Sequence, residues 1–139
     1  MATLKRSAAL VGATLESMQV WDILRSVDYL IDDQKLPIKK LSVYGRRDTG
    51  ILGMYAAILD QRISRVVLDD PPTSHRQGPA LLNILRFTDL PETAALIAPR
   101  EIVSLTRFPD SFGYTARILE LRQQTASLRQ ANGLTKALQ

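Results

Sequence analysis

The sequence predicts an α/β fold of three layers, in which a parallel sheet has flanking helices, as a single domain over residues 1–139. Short apolar runs that suit buried strands alternate with longer segments of helical periodicity, which is the pattern of βαβ crossovers. The strand runs are apolar almost throughout, as expected for strands that are covered on both faces. A chain of 139 residues also has the length of one domain.

The first half of the chain predicts two helices and two strands. Residues 18–31 place apolar side chains on one helical face and polar side chains on the other. The apolar run 41–45 follows the loop that Pro37 closes, and it predicts a strand. Small residues predict a helix over 49–60, and the run 65–69 predicts a second buried strand. We expect the core to include Met18, Trp21 and Met54.

The second half begins with a Pro- and Gly-rich loop, PPTSHRQGP. Two short helices, about 79–87 and about 91–97, are predicted on either side of Leu90-Pro91. The third strand is predicted at 102–106 and the last helix at 112–131. A sheet of three strands has two open edges, and apolar edges invite pairing with another chain. We therefore expect a homo-oligomer, most simply a two-fold dimer.

The composition, 45% hydrophobic and 23% charged, is that of an ordinary globular protein. With no cysteine and a single histidine, His75, the chain is expected to hold no metal. No cofactor is expected either. No run approaches the roughly 18 apolar residues of a membrane span, so no membrane partner is expected. The apolar stretch 8–11 is short for a signal peptide, which favours a cytoplasmic location. The net charge is +4, but the basic residues are scattered among acids, so nucleic acid is not expected as a partner.

The segment LSVYGRRDTGILGMYAAILD, residues 41–60, has the layout of a strand, a tight elbow and a helix that packs back on the sheet. In a serine hydrolase the nucleophile lies at the tip of such an elbow. Here the tip reads Arg46-Arg47-Asp48-Thr49 and contains neither serine nor cysteine.

Residues 20–72 resemble the middle of an α/β-hydrolase of the acetyl xylan esterase and glucuronoyl esterase kind. In that family an aspartate-bearing helix precedes the nucleophile strand, the elbow carries Gly-x-Ser and further glycines, and the next strand ends near Asp-Pro. The segment LIAPREIVSLTRFPD is similar to the family's following strand, after which the catalytic acid stands. The resemblance spans about residues 15–115. It implies a partial α/β-hydrolase-like fold and a carboxylic-ester hydrolase with a small-molecule ester substrate.

On this resemblance, Gly45 matches the first elbow glycine and Gly50 a later one, while Asp110 matches the catalytic acid. Arg47 stands at the position of the nucleophilic serine. The family's histidine belongs near the C-terminus, but no histidine follows Asp110. The resemblance thus implies a serine esterase-like protein with a degenerate or nonstandard site.

Two elbow residues carry alternative interpretations. A guanidinium stays protonated and has no lone pair with which to attack an ester, so Arg47 is no nucleophile. With Arg46, Gly45 and Thr49 it is instead a candidate site for an anion beside a helix N-terminus, unless both arginines are solvated turn residues. Asp48 is either an aspartate nucleophile or, more simply, the N-cap of the helix over 49–60.

The loop LDDPPTSHRQG holds the other candidate catalytic residues. His75 is the side chain best suited to act as a base near neutral pH, oriented by Asp70 or Asp110. Asp48 or Ser74 would then lie near the bond being cleaved, although adjacent Ser74 and His75 side chains usually point apart. Alternatively, Asp70-Pro71-Pro72 is only a stiff start to the loop.

The sequence therefore predicts one of two functions. The first is carboxylic-ester hydrolysis at a nonstandard site built from His75, Asp48, Asp110 and Ser74. The second is a non-catalytic binding or assembly module in which Arg47 binds an anionic ligand or an acidic partner.

Overall fold

The computed structural model describes residues 2–38 and 40–139. It confirms an α/β fold in which four parallel strands form one sheet in the order β1-β2-β3-β4. The strands are β1 Leu41–Arg46, β2 Ile63–Asp69, β3 Glu101–Ser104 and β4 Leu128–Gln130. The helices are α1 Ala2–Leu10, α2 Leu15–Asp28 with a π-helical extension at Tyr29–Asp33, α3 Asp48–Leu59, α4 Leu90–Ala94, α5 Gly113–Leu121 and α6 Leu134–Leu138.

Side-chain alternation along β2 divides the sheet into two differently covered faces. Val66 and Leu68 belong to the main core, which α2, α3 and α4 cover with Val20, Val27, Ile51, Met54, Leu90 and Ala94. Val67 points to the opposite face and packs with Val103 and with Ala137 of α6. Helices therefore lie on both faces, giving the predicted three layers.

A buried arginine, paired with a glutamate, fixes α6 to the second face. Arg65 is only 5% exposed, and its Nε lies 2.8 Å from Oε2 of Glu101 on the neighbouring strand. The Arg65 guanidinium also donates to the carbonyl oxygen of Ala137 at 2.9 Å. Since the register pairs Arg65 with Glu101, the two charges meet directly across β2 and β3.

The prediction of one long helix over 112–131 is wrong in its second half. Helix α5 ends at Leu121, and the chain turns at Gln123, whose φ is 57°. A 3-10 turn at Thr125–Ser127 leads into β4, in which Leu128 pairs with Ile102 of β3. The sheet therefore has four strands where the sequence predicted three.

The two short helices predicted after β2 are also shorter than expected. The first is reduced to a 3-10 turn at Ile84–Arg86, because Asn83 has a left-handed backbone with φ 58°. The second is α4, which ends at Ala94. Beyond it, the N–H groups of Leu96 and Ile97 form i→i−3 hydrogen bonds, the pattern of a 3-10 turn and not of an α-helix.

The prediction that Met18 and Trp21 lie in the core is wrong, whereas Met54 is fully buried as predicted. On α2 the buried positions are taken by Val20 and Val27. Trp21 lies beside them on the helix surface, 58% exposed, with the Arg25 guanidinium 4.5 Å from its ring centroid.

The closest approach between α3 and the sheet occurs at two glycines. A Cβ on Gly45 would lie 2.4 Å from the backbone nitrogen of Gly50. A Cβ on Gly50 would lie 2.7 Å from the carbonyl oxygen of Gly45. One turn further, Gly53 faces Val43, whose Cγ1 would be 2.5 Å from an added Cβ. Small residues at these positions allow α3 to begin directly after β1.

We expect Gly45→Ala to lower the free energy of unfolding by about 3 kcal/mol, because the new methyl group would meet backbone atoms that cannot move aside. Urea denaturation followed by circular dichroism measures the change. Gly113→Ala is the matched control, since nothing lies within 4 Å of its Cβ position and its φ is −57°. It should change stability by less than about 1 kcal/mol, in the stabilising direction. Equal losses in both variants would contradict the steric account of the elbow.

The homodimer stays a prediction. Strands β1 and β4 lie at the two ends of the sheet, so in the described part of the chain each has one edge without a neighbouring strand. Sedimentation equilibrium at micromolar concentration is expected to give twice the chain mass of 15.5 kDa. A species at the mass of one chain would contradict the prediction.

Within residues 2–38 and 40–139, no helix combines the length and the apolar character that crossing a bilayer requires.

Candidate functional site

The apex of the elbow between β1 and α3 is Arg47. Its backbone angles, φ 51° and ψ −126°, lie outside the regions that L-residues favour. Such a conformation costs about 1–3 kcal/mol and persists only when its surroundings fix it. The Arg47 N–H donates to the carbonyl oxygen of Asp69 at 2.8 Å, and the Arg47 carbonyl oxygen accepts from Gly50 at 3.1 Å. The elbow is therefore held both to β2 and to the first turn of α3.

Asp48 does not cap α3, so that prediction is wrong. The turn is so tight that Asp48 is already the first helical residue, and Arg47 occupies the N-cap position without a side-chain cap. The Thr49 hydroxyl instead accepts from the Arg46 N–H at 3.1 Å and donates to the Arg46 carbonyl oxygen at 2.7 Å. Thr49 thus closes the elbow, and the Asp48 side chain is exposed.

The elbow arginines lie opposite Asp69, which ends β2, and Asp70, which follows it. Arg46 Nε is 3.7 Å from Oδ2 of Asp69, and Arg47 Nη1 is 3.4 Å from Oδ2 of Asp70. Both arginine side chains are 69% exposed. Asp70 also has a positive φ, 52°, and its N–H donates to the Thr106 hydroxyl at 3.0 Å. Exposed ion pairs of this length contribute at most about 1 kcal/mol to stability. The Arg47 guanidinium can therefore leave Asp70 and bind another anion.

His75 lies in the loop after β2 and is 7% exposed. Its Nδ1 is 2.9 Å from the carbonyl oxygen of Pro79, and its Nε2 is 2.7 Å from the Tyr55 hydroxyl. Because a carbonyl only accepts, Nδ1 carries the hydrogen, and Nε2 is left to accept from the Tyr55 hydroxyl. Both ring nitrogens of His75 are therefore engaged inside the protein.

Tyr55 is suited to the donor role in this pair. Burial raises the pKa of the Tyr55 phenol, and the charge of Asp89 acts in the same direction, against a hydrogen bond with Thr93. The phenol consequently keeps its proton at neutral pH. It serves as a hydrogen-bond donor to His75, not as a nucleophile.

Ser74 is bonded to Asp89, the N-cap of α4. The Ser74 hydroxyl donates to Oδ2 of Asp89 at 2.5 Å, while Oδ1 accepts from the backbone N–H groups of His75 and Leu90, both at 2.8 Å. Burial alone would raise the pKa of Asp89, but these hydrogen bonds outweigh it and hold the pKa below its ordinary value. Asp89 therefore anchors the loop that carries Ser74 and His75 to the start of α4.

The hydrogen bonds of the described residues do not join the predicted catalytic side chains to one another. The ring of His75 bonds to Tyr55 and Pro79, and the Ser74 hydroxyl bonds to Asp89. Asp110, with its side chain 91% exposed, pairs with Arg107 at 3.0 Å. Asp48 lies on the elbow, where the predicted anion-binding residues Gly45, Arg46, Arg47 and Thr49 are in contact along one turn.

Sequence reasoning missed Tyr55 and Asp89. The signal for Asp89 was present, since Asp89-Leu90-Pro91-Glu92 has the spacing of a capping box, and the structure contains both of its hydrogen bonds. Tyr55 has no such local signal. It meets His75 across 20 positions of sequence, a contact that only the fold creates.

Comparisons with protein-family models, with curated proteins and with solved structures gave no match for this chain. The esterase resemblance accordingly remains a prediction, and the elbow and the histidine loop are interpreted from their own geometry.

We expect Asp89→Ala to lower the free energy of unfolding at pH 7 by about 2 kcal/mol, because a helix cap is lost and the Ser74 and His75 donors lose their acceptor. The folded-state pKa of Asp89 lies below its unfolded value of about 3.9. Its ionised form therefore stabilises the protein above that value, and the contribution disappears as the pH falls through the folded-state pKa. Denaturation at several pH values should show the gap between the variant and the natural protein narrow below about pH 4.

Asp110→Ala is the control for that measurement. Its carboxylate is almost fully exposed, and among the described residues Arg107 is its one ion-pair partner. The variant should therefore lie within about 0.5 kcal/mol of the natural protein. A gap for Asp89→Ala that is unchanged at acidic pH would contradict the role of the Asp89 charge.

Proposed function

We propose that this chain is a non-catalytic binding module of α/β-hydrolase-like architecture, in which Arg47 binds a carboxylate or phosphate group of a ligand or partner. One observation carries the proposal: a largely exposed arginine occupies the strained apex of the elbow, the position from which a nucleophile would project. A guanidinium at that point binds oxyanions through paired N–H donors and attacks nothing.

The helix that follows supports anion binding at this position. Helix α3 has 12 residues and begins immediately after Arg47. The first N–H groups of a helix, here those of Asp48 and Thr49, have no partner within the helix. Together with the helix dipole they favour a negative group at the N-terminus. The Arg47 side chain and these N–H groups belong to the same short turn.

Two carboxylates modulate this site. Asp70 already contacts Arg47 at 3.4 Å through a single oxygen, a weaker arrangement than a bidentate pair. A ligand oxyanion offering two oxygens therefore has an advantage over Asp70. Asp48, exposed in the first turn of α3, repels a bound anion and lowers its affinity.

Binding is favoured over ester hydrolysis because of His75. Both nitrogens of its ring are occupied by Tyr55 and Pro79, so the base that hydrolysis needs is committed to a structural role. The apex of the elbow is Arg47, which has no nucleophilic hydroxyl, and this also favours binding over hydrolysis.

We expect inorganic phosphate to shift the backbone amide resonances of Asp48 and Thr49 in a two-dimensional NMR titration. Arg47→Ala should weaken the apparent affinity about tenfold, the effect of losing a charge-assisted hydrogen bond. Asp48→Asn should strengthen it, because a repelling charge is removed. The control is Arg117→Ala, which removes the same net charge from the exposed surface of α5 and should leave the titration unchanged.

Hydrolysis of p-nitrophenyl acetate is measured on the same proteins. The binding proposal expects no turnover by the natural chain, and none by Arg47→Ser. Turnover that His75→Ala and Asp48→Asn both abolish would instead establish the hydrolase. Equal weakening of phosphate binding by Arg47→Ala and Arg117→Ala would mean that phosphate responds only to the net charge of the protein. That result would contradict a site at the elbow.

A further inference from the structure

A second surface, remote in sequence from the elbow, is formed by the segment 79–88, called here the apolar loop. Three of its large apolar side chains are turned into solvent within six residues. Phe87 is 82% exposed, Leu82 58% and Leu85 49%. Isolated exposed apolar residues are ordinary, but a cluster on one protruding segment marks an interaction site.

The apolar loop is held in this conformation by its own backbone. Arg86 N–H donates to the carbonyl oxygen of Asn83 at 3.0 Å, and Phe87 N–H donates to that of Ile84 at 2.9 Å. The left-handed Asn83 turns the chain between Leu82 and Leu85. The apolar side chains are thus presented outward by a defined turn.

Both ends of the loop are fixed to the rest of the fold. The carbonyl oxygen of Pro79 bonds to the ring of His75. At the other end, the Thr88 hydroxyl contacts that of Thr93 in α4 at 3.1 Å. The buried His75 therefore holds one end of the apolar loop, whose surface is separate from the elbow.

Two arginines flank the exposed apolar side chains. One shallow depression of about 390 Å³ is lined by Arg76, Leu85, Arg86 and Phe87, together with Thr88, Asp89 and Glu92. Neither Arg76 nor Arg86 forms an ion pair within the described part of the chain. The two acids of the depression are engaged at the start of α4, where each accepts a backbone N–H of the capping box.

We propose that the apolar loop docks on the surface of an anionic lipid bilayer, with Leu82, Leu85 and Phe87 entering the interface and Arg76 and Arg86 contacting the headgroups. Protruding apolar side chains beside unpaired cations suit an interface where hydrocarbon meets negative charge. The net charge of +4 adds attraction to the same surface. The expectation of no membrane partner rested on the lack of a spanning segment, and a loop that lies on the surface needs none.

The experiment is co-sedimentation of the full chain with vesicles of phosphatidylcholine, alone or mixed with phosphatidylglycerol. We expect binding to the mixed vesicles at low salt and little binding to phosphatidylcholine alone. Phe87→Ser should reduce the partition coefficient about tenfold. Arg86→Gln should reduce it about fivefold, the effect of about 1 kcal/mol per cation near the surface, and high salt should weaken binding of the natural chain.

Matched controls lie on α5 and just beyond it. Leu121→Ser removes an apolar side chain that is 73% exposed, and Arg122→Gln removes an exposed cation next to it. Both should bind the mixed vesicles like the natural chain. Because all four substituted side chains are exposed, circular dichroism should show every variant folded.

Several outcomes would overturn the proposal. The first is no binding to the mixed vesicles, and the second is equal loss in Leu121→Ser and Phe87→Ser. The third is a protein interface: if vesicles are not bound but Phe87→Ser converts a dimer into a monomer in sedimentation equilibrium, the apolar loop contacts a second copy and not lipid. None of these results depends on phosphate binding at Arg47, which is measured separately.

Discussion

The backbone contact between Gly45 and Gly50 is the constraint on which the rest of this structure depends. Neither position has room for a Cβ. Because glycine has none, α3 can start within two residues of the end of β1. This start places Arg47 at the apex and directs the helix N-terminus toward the carboxyl edge of the sheet, where parallel α/β proteins bind their ligands. Two turns along the same helix, Tyr55 reaches the loop after β2 and bonds to His75.

The polar groups of this protein divide into two sets with different physical roles. Around the histidine loop, donors and acceptors are matched: hydrogen bonds of 2.5–2.8 Å join His75 to Tyr55 and join Asp89 to Ser74 and His75. Buried groups that are matched in this way stabilise one arrangement of the chain. At the elbow, the two arginine side chains are exposed and lie 3.4–3.7 Å from their partner carboxylates, which leaves them able to change partners. The first set stabilises the scaffold. The second set is weakly paired, so its charges can form stronger contacts with a ligand.

The elements that the sequence predicted correctly are those with a local cause. The apolar runs of β1, β2 and β3 and the small-residue helix α3 can each be recognised within a dozen residues, and so can the elbow that joins β1 to α3. The fourth strand was missed because Leu128–Gln130 has only three residues, and its conformation comes from pairing with β3. Strand preference of this kind depends on neighbours more than on the segment itself. The Tyr55–His75 pair was missed for the same reason, since the contact exists only after α3 and the following loop have packed together.

Trp21 shows how a local pattern can mislead, and its position has a practical consequence. It was expected in the core, yet it lies on the surface of α2 beneath the Arg25 guanidinium. Because it is the only tryptophan in the chain, the intrinsic fluorescence of this protein reports on the solvent-facing side of one helix. The indole is exposed to solvent in the folded protein and would also be exposed after the sheet unfolds, so its emission would change little. The fluorescence of Trp21 therefore reports contacts made at α2 and reports poorly on the core.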